Sequence, residues 1–329
     1  MSGASESPDL KTDQTPSGQQ NSLEPSGAHG QGAPQRHASG DVPARTLPGS
    51  ARKRAWAYCG VILITLLLIA TYYAAHRSDS WIIHWKRYTV VRDLASLQVR
   101  INAAGLPVSQ IGRVEVDGAW LPVLALRRTI NGGPRLCVFS GVHGNEPASV
   151  EAALRFAELL VKDRKLYPGL NVTIVPLVNP WGWARDLRRN SANQDISRTF
   201  ISTPSAEGEM VKALLRTERC TVLADLHGDS TKQPFHIITF DNADLSVAKS
   251  ITRDIAARGL PLRKGAPEAV FHRLDKDAIN TARPGLSLYA RRNGVPQVYN
   301  IQSPRELDIE KRVGVHLLAL DRLARAVKP

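Results

Sequence analysis

RLCVFSGVHGNEPASVEAALRFAELLVK, residues 135–162, changes its period half-way, and that change decides the fold. Residues 135–140 are a short continuous apolar run, the pattern of a strand buried on both faces. From Glu146 to Lys162 the apolar side chains recur at helical spacing, with Val150, Leu154, Ala157 and Val161 on one face. Pro147 stands at the first helical turn, where its missing N–H leaves no bond unmade. A buried strand passing through a short glycine-bearing loop into an amphipathic helix is the unit of an α/β domain.

The same alternation extends outward. Residues 112–128 read as a hairpin turning at Asp117-Gly118. Residues 171–178 and 221–226 repeat the buried-strand pattern, and 235–240 and 295–302 are weaker strand candidates. Residues 308–327 close the chain as a helix whose inner stripe is Val313, Leu317, Leu320 and Leu323. No internal repeat is present. The domain is predicted to cover residues 93–329.

Upstream the composition differs sharply. Residues 1–54 are rich in Ser, Gly, Pro, Gln and Asp and nearly free of large apolar side chains, so they are expected to form a disordered tail. Residues 55–75, AWAYCGVILITLLLIATYYAA, carry no charge. At ~1.5 Å per residue such a run is long enough to cross a ~30 Å hydrocarbon layer, and a transmembrane helix is expected. Trp56 and Tyr58 at one end, with Tyr72 and Tyr73 at the other, suit the two interfaces. A buried core helix is the competing reading, but the run has no polar face. Residues 76–92 are read as a juxtamembrane linker. Arg52, Lys53 and Arg54 argue for a cytoplasmic N-terminus and an extracytoplasmic, periplasmic domain; Arg77, Lys86 and Arg87 weaken that asymmetry.

The chain carries 43 Lys and Arg against 30 Asp and Glu, a formal charge of +13. The tail is nearly neutral, so the excess sits on the folded part and favours anionic surroundings: phospholipid headgroups, wall polymers or carboxylate substrates. No helix-turn-helix, zinc-finger or aromatic-and-basic RNA-binding pattern occurs, and no nucleic-acid partner is expected. Of three cysteines, Cys59 lies in the lipid-type run. Cys137 and Cys220 read as small hydrophobes in or beside core strands, and their spacing does not call for a disulfide. Cysteine usage therefore leaves the compartment undecided.

Chemistry concentrates where predicted strands end, the place where open α/β sheets bind ligands. GVHGNEP, residues 141–147, offers His143 and Glu146 in a His-x-x-Glu pair. Zinc accepts imidazole nitrogen and carboxylate oxygen, and catalytic sites commonly take three protein ligands. Alone the pair is a weak signal. ADLHGDS, residues 224–230, puts His227 at a second strand end, with Asp225 or Asp229 available to orient its ring. A lone histidine there is usually a satisfied core residue; two motifs at strand ends reverse that expectation.

The stretch VNPWGWARDLRRNSANQDISRTF, residues 178–200, makes a resemblance specific. In order, the chain supplies His143 and Glu146, then Asn179-Pro180-Trp181-Gly182, then Arg188-Arg189-Asn190, then Asp195-Ile196-Ser197-Arg198, then His227. This series resembles the zinc metallocarboxypeptidases, over roughly residues 94–320. The short interval from Glu146 to His227 is more similar to bacterial murein-peptide carboxypeptidases and succinylglutamate desuccinylase–aspartoacylase relatives. The resemblance implies a mixed, mostly parallel central sheet with helices on both faces. It implies zinc held by His143, Glu146 and His227, which polarises a carbonyl and acidifies bound water. It assigns the oxyanion role to Arg188, with Arg189 its immediate competitor, and the substrate carboxylate to Arg198.

Two positions depart from the family. Ser197 stands where an Asn normally precedes the carboxylate-binding arginine. More seriously, the position of the catalytic Glu at the end of a late strand is occupied by Gln302, which keeps the shape but cannot accept a proton. Glu306, four residues on, is an alternative base. The expectation is a zinc hydrolase of a small peptide or N-acyl amino acid bearing a carboxylate; the competing expectation is a catalytically silent, zinc-containing binder of anionic peptide termini. Tyr289 and Tyr299 are readable either as substrate-facing phenols or as packing.

Overall fold

The computed structural model describes residues 49–116, 118–130, 132–201, 203–228, 234–240, 243–264, 269–273 and 285–327. The expected tail up to residue 48, the turn residue Asp117 and Asp229 lie outside them. The chain divides into two units, residues 1–66 and 67–329. Helix α1 (Gly49–Tyr88) contains no proline to stop it, so it starts inside the expected tail and continues through residues 76–88, expected as a linker. Its described side chains at positions 56–72 are all exposed. Among the described residues, no helix is long and apolar enough to cross a membrane.

The domain continues with α2 (Leu94–Ala103), capped by Asp93, and the hairpin β1 (Val108–Val116) and β2 (Ala119–Arg128). Then come β3 (Arg135–Phe139), α3 (Pro147–Lys162), β4 (Asn171–Val175) and the short α4 (Pro180–Ala184). A 3-10 turn, Ile196–Arg198, precedes α5 (Ala206–Glu218) and β5 (Val222–Gly228). After β6 (His236–Phe240), α6 (Leu245–Ala257), β7 (Val270–Arg273) and α7 (Leu286–Arg292), the chain ends in β8 (Gln297–Ser303) and α8 (Ile309–Ala326).

Eight strands form one sheet in the order β1-β2-β4-β3-β5-β8-β6-β7. The centre is parallel: β3 pairs with β4 and β5, and β5 with β8. The flanking pairs β1–β2, β2–β4 and β6–β8 are antiparallel, so the sheet is mixed. One face buries Leu136, Val138, Ala224 and Ile301 under α2, α3, α6 and α8. The other buries Cys137, Phe139, Leu223 and Val298 under α5 and α7. Helices thus cover both faces, and central strands buried twice over need the continuous apolar runs read from the sequence.

Cys137 and Cys220 form a disulfide, 83 residues apart in sequence with Cα atoms 5.7 Å apart. The pairing follows from strand order: β5 lies beside β3, and Cys220 falls just ahead of β5. The bond joins the middle of β3 to the segment leading into β5, the two strands at whose ends the histidine motifs stand.

Candidate metal centre

Two glycine-containing turns must pass each other for the site to form. Asn179 caps α4, its Oδ1 accepting the Gly182 N–H at 2.8 Å, and Pro180 fills the first helical position. Gly182 then lies against the loop after β3: a Cβ on Gly144 would sit 2.0 Å from the Gly182 carbonyl carbon. Neither turn leaves room for a side chain at Gly144. Arg92 fastens both, its Nη1 donating to the carbonyls of Gly144 (3.0 Å) and Trp183 (2.8 Å).

That contact delivers His143 and Glu146 to the end of β3, while β5 delivers His227. The ligand-capable atoms of the three lie within 4.8 Å of one another, and all three residues are buried. The Glu146 carboxylate lies between the rings: Oε1 is 2.8 Å from His143 Nδ1 and Oε2 3.0 Å from His227 Nδ1. The two Nδ1 atoms are themselves 3.2 Å apart. Two imidazoles and a carboxylate, converging and cut off from solvent, are a donor set that suits zinc.

Behind each ring stands a second carboxylate. His143 Nε2 is 3.1 Å from Asp195 Oδ1 and 3.1 Å from Ser197 Oγ. His227 Nε2 lies 2.9 Å from Asp225 Oδ1, a close charge contact without the direction of a good hydrogen bond. Both Nδ1 atoms face Glu146, so the pair of aspartates fixes which nitrogen of each ring points into the cluster. Asp225 is fixed in turn, its Oδ2 accepting from Ser287 Oγ (2.7 Å) and Asn300 Nδ2 (2.9 Å).

The charge balance follows. Burial would raise the Glu146 carboxyl, but the two imidazoles hold it well below the usual range. Asp195 and Asp225 are likewise held down against burial by the histidine each backs. Burial opposes the charged form of His227, yet Asp225 and Glu146 push it up to about 10.

Arg188 reaches this centre. Its Nε donates to Asp195 Oδ2 at 3.0 Å, which places Nη1 3.3 Å from His143 Nδ1 and 3.9 Å from Glu146 Oε1. Arg189 goes the other way: it is exposed, and its Nη1 donates to the Asn193 carbonyl. Ser197 is buried, and its Oγ donates to Asp195 at 2.7 Å. Arg198 closes the same 3-10 turn and is half-buried.

The β8 side supplies no carboxylate. Gln302 pairs in register with His227, and its amide donates to Asn300 Oδ1. Glu306 is exposed in the turn after β8 and, among the described residues, makes no hydrogen bond to the cluster. Tyr299 is packing: it is buried, and its hydroxyl donates to the Asp244 carbonyl at 3.0 Å. Tyr289 stacks near Phe200 and lines a cavity at the opposite, N-terminal ends of β5 and β8.

Sequence reasoning named Asp225 as an orienting group but not Asp195. The signal for Asp195 was its place in the Asp-x-Ser-Arg element; its partner lies 52 residues away.

Residues 132–248 match the model of the succinylglutamate desuccinylase/aspartoacylase catalytic domain. That span contains His143, Glu146, Arg188, Asp195 and His227 and stops short of Gln302. A structure from Shewanella amazonensis described as that of a metallopeptidase superposes with a TM-score of 0.60 at 21% identity, covering 72% of this chain and 92% of that one. A metallo-carboxypeptidase from Burkholderia cenocepacia gives 0.55 at 17%, covering 69% and 67%. The chain shares its fold with these metallopeptidases, and residues 132–248 carry the pattern of the desuccinylase/aspartoacylase catalytic domain. A plant protein, carboxypeptidase SOL1 of Arabidopsis thaliana, is 28% identical over 116 residues. The match takes in 30% of this chain and spans about a quarter of that relative's length (24%).

Proposed function

We propose that the chain is a membrane-anchored, zinc-dependent hydrolase that cleaves an amide bond in a small peptide or N-acyl amino acid carrying a carboxylate. The observation that carries this reading is the convergence of His143, Glu146 and His227 with the Arg188 guanidinium beside them. The first three would hold zinc, which when bound supplies Lewis-acid polarisation of a carbonyl and an acidified water. Arg188, steadied by Asp195, presents an N–H fork where negative charge would develop on the substrate oxygen. Arg198, at the edge of the same loop, is assigned the substrate carboxylate, for which a guanidinium fork is well shaped. Asp195 and Asp225 hold the two imidazoles in the tautomer that presents Nδ1. Proton transfer is the weak step, because Gln302 cannot accept a proton and Glu306 faces solvent.

That weakness supports a second reading, a zinc-containing binder of anionic peptide termini that turns nothing over. The two separate by experiment. Detergent-solubilised full-length protein is assayed against acyl-amino-acid, dipeptide and muropeptide panels, with and without a chelator. Turnover lost on chelation supports the enzyme. No turnover on any panel, with hydrolysis emerging in Gln302→Glu, supports the binder.

Anchoring is proposed on residues 56–72, whose described side chains are exposed and predominantly apolar, including Ile62 at 59%, Leu67 at 63% and Tyr72 at 60% exposure. So large an apolar surface needs a partner. The hydroxyls of Thr65 and Thr71 are satisfied within the helix by the carbonyls of Val61 and Leu67, at 2.8 and 2.9 Å, as a lipid environment requires. The Cys137–Cys220 disulfide favours an oxidising compartment, and with it a domain outside the cytoplasm and a tail inside. Protease added to intact spheroplasts should remove the domain; full protection would place it inside and overturn the orientation.

A further inference from the structure

The last helix brings an unbalanced charge to the flank of the cluster. Arg312, in the first turn of α8, is only 8% exposed, and its buried Nε has no hydrogen-bond partner. A Cβ added to Gly228 would lie 2.5 Å from Arg312 Nη2 and 3.3 Å from Glu146 Cγ. The guanidinium therefore rests on the bare backbone next to His227, beside the carboxylate proposed to hold zinc. One turn further on, His316 is fully buried with neither ring nitrogen partnered. Burial and then the Arg312 charge push its pKa down to about 3, so it is neutral and contributes no charge of its own.

A buried cation is costly unless an acid is paired with it. Among the described residues no carboxylate makes an ion pair with Arg312. The acids that act on it are Glu146, already shared between two imidazoles, and Glu306, which is exposed. The neighbouring Val313 packs with Ala148 and Ala152 of α3 in a small apolar cluster that does not include Arg312. On the far side of His227, Gln302 leaves the site without the negative charge that a carboxylate there would add. Both features move the local field in the same direction.

We infer that Arg312 is a working cation of the metal site, supplied by the C-terminal helix, which strengthens the binding of carboxylate ligands at the cluster and weakens its hold on the divalent ion. The inference rests on the proposal that His143, Glu146 and His227 bind zinc. It goes beyond that proposal in adding a positive group to the ion, Arg188 and Arg198, and so a preference for ligands with more than one negative charge.

The test uses full-length protein in detergent. Zinc affinity is measured by competition with a chromophoric chelator, and acetate binding to the zinc-loaded protein by calorimetry. Arg312→Met should bind zinc about ten-fold more tightly and acetate about ten-fold more weakly, since removing a nearby positive charge has opposite signs for the two ions. Arg312→Lys should restore both. Gly228→Ala, which must displace the flexible end of Arg312, should move both affinities the same way by a smaller factor. This variant also decides the matter if Arg312→Met fails to fold. Unchanged affinities, or zinc affinity falling together with thermal stability, would mark a packing residue and overturn the inference. Wild-type protein that binds no zinc would overturn the underlying function as well.

Discussion

The two sides of the candidate site are built to different standards. On the β3–β5 side, every group has a support behind it: each imidazole is backed by an aspartate, Asp225 by Ser287 and Asn300, and Asp195 by Arg188. On the β8 side, Gln302 spends its amide on Asn300, and Glu306 stands in solvent. In the proposed function, holding an ion and moving a proton are separate tasks on separate strands. The residues for the first are all in place, and those for the second are not.

Substitutions can break that contrast or sharpen it. The largest effect belongs to the ligand set: His143→Ala should abolish stoichiometric zinc, measured by elemental analysis, and reduce any hydrolysis by at least about 10³-fold. Next is the opposite manipulation on the weak side. Gln302→Glu restores a proton acceptor opposite His227 and should raise turnover by roughly 10²- to 10⁴-fold while leaving zinc content at one per chain. A rise in zinc content in place of turnover would show that the division of labour is misdrawn.

Removing the disulfide tests what lies beneath the well-supported side. Replacing both Cys137 and Cys220 by Ser should cost about 4 kcal/mol of stability, the scale for a loop of this length, read from denaturant midpoints. Weakening one support is milder: Asp195→Asn should lower zinc affinity by about 10- to 100-fold, because the His143 ring loses its tautomer control. The smallest effect is protonic. His227, held up to about 10 in the metal-free fold, should release close to one proton when zinc binds at pH 7, measurable by calorimetry in buffers of different ionisation heat. The sign for stability follows the same shift. A raised histidine stabilises the metal-free fold below its unfolded value of about 6.5 and loses that contribution as pH climbs towards 10.

Much of this was legible in the sequence because it depends on local pattern. Twice-buried strands such as 171–175 and 222–228 need apolar runs, and the turn at Asn179-Pro180 needs a capping side chain followed by a fixed φ. The elements left unread were α2, the short α4, α5, α6, α7 and the four-residue β7. The start of α5 carries a clear cue, Ser205 capping with Glu207 and Glu209 in the first turn, but Gly208 blurs its periodicity. Short strands such as β7 have too few residues for alternation to register. What local pattern could not give was anything set by strand order. The Cys137–Cys220 bond becomes obvious only once β3 and β5 are neighbours. The choice between Arg188 and Arg189 turns on which way one loop residue faces, and Arg312 gains its meaning only when α8 folds back over Gly228.

The sulfur bridge behind β3 and β5 has a practical corollary. It crosslinks the two strands that carry the proposed ligand trio, much as a rivet keeps the jaws of a clamp in register. Protein produced where thiols stay reduced would keep the β3–β5 ladder that spaces its two imidazoles but would hold it with a smaller margin of stability. Such material should look correctly folded when cold and unfold sooner on warming, so an inert preparation of that kind would indict the expression host before it indicted the proposed chemistry.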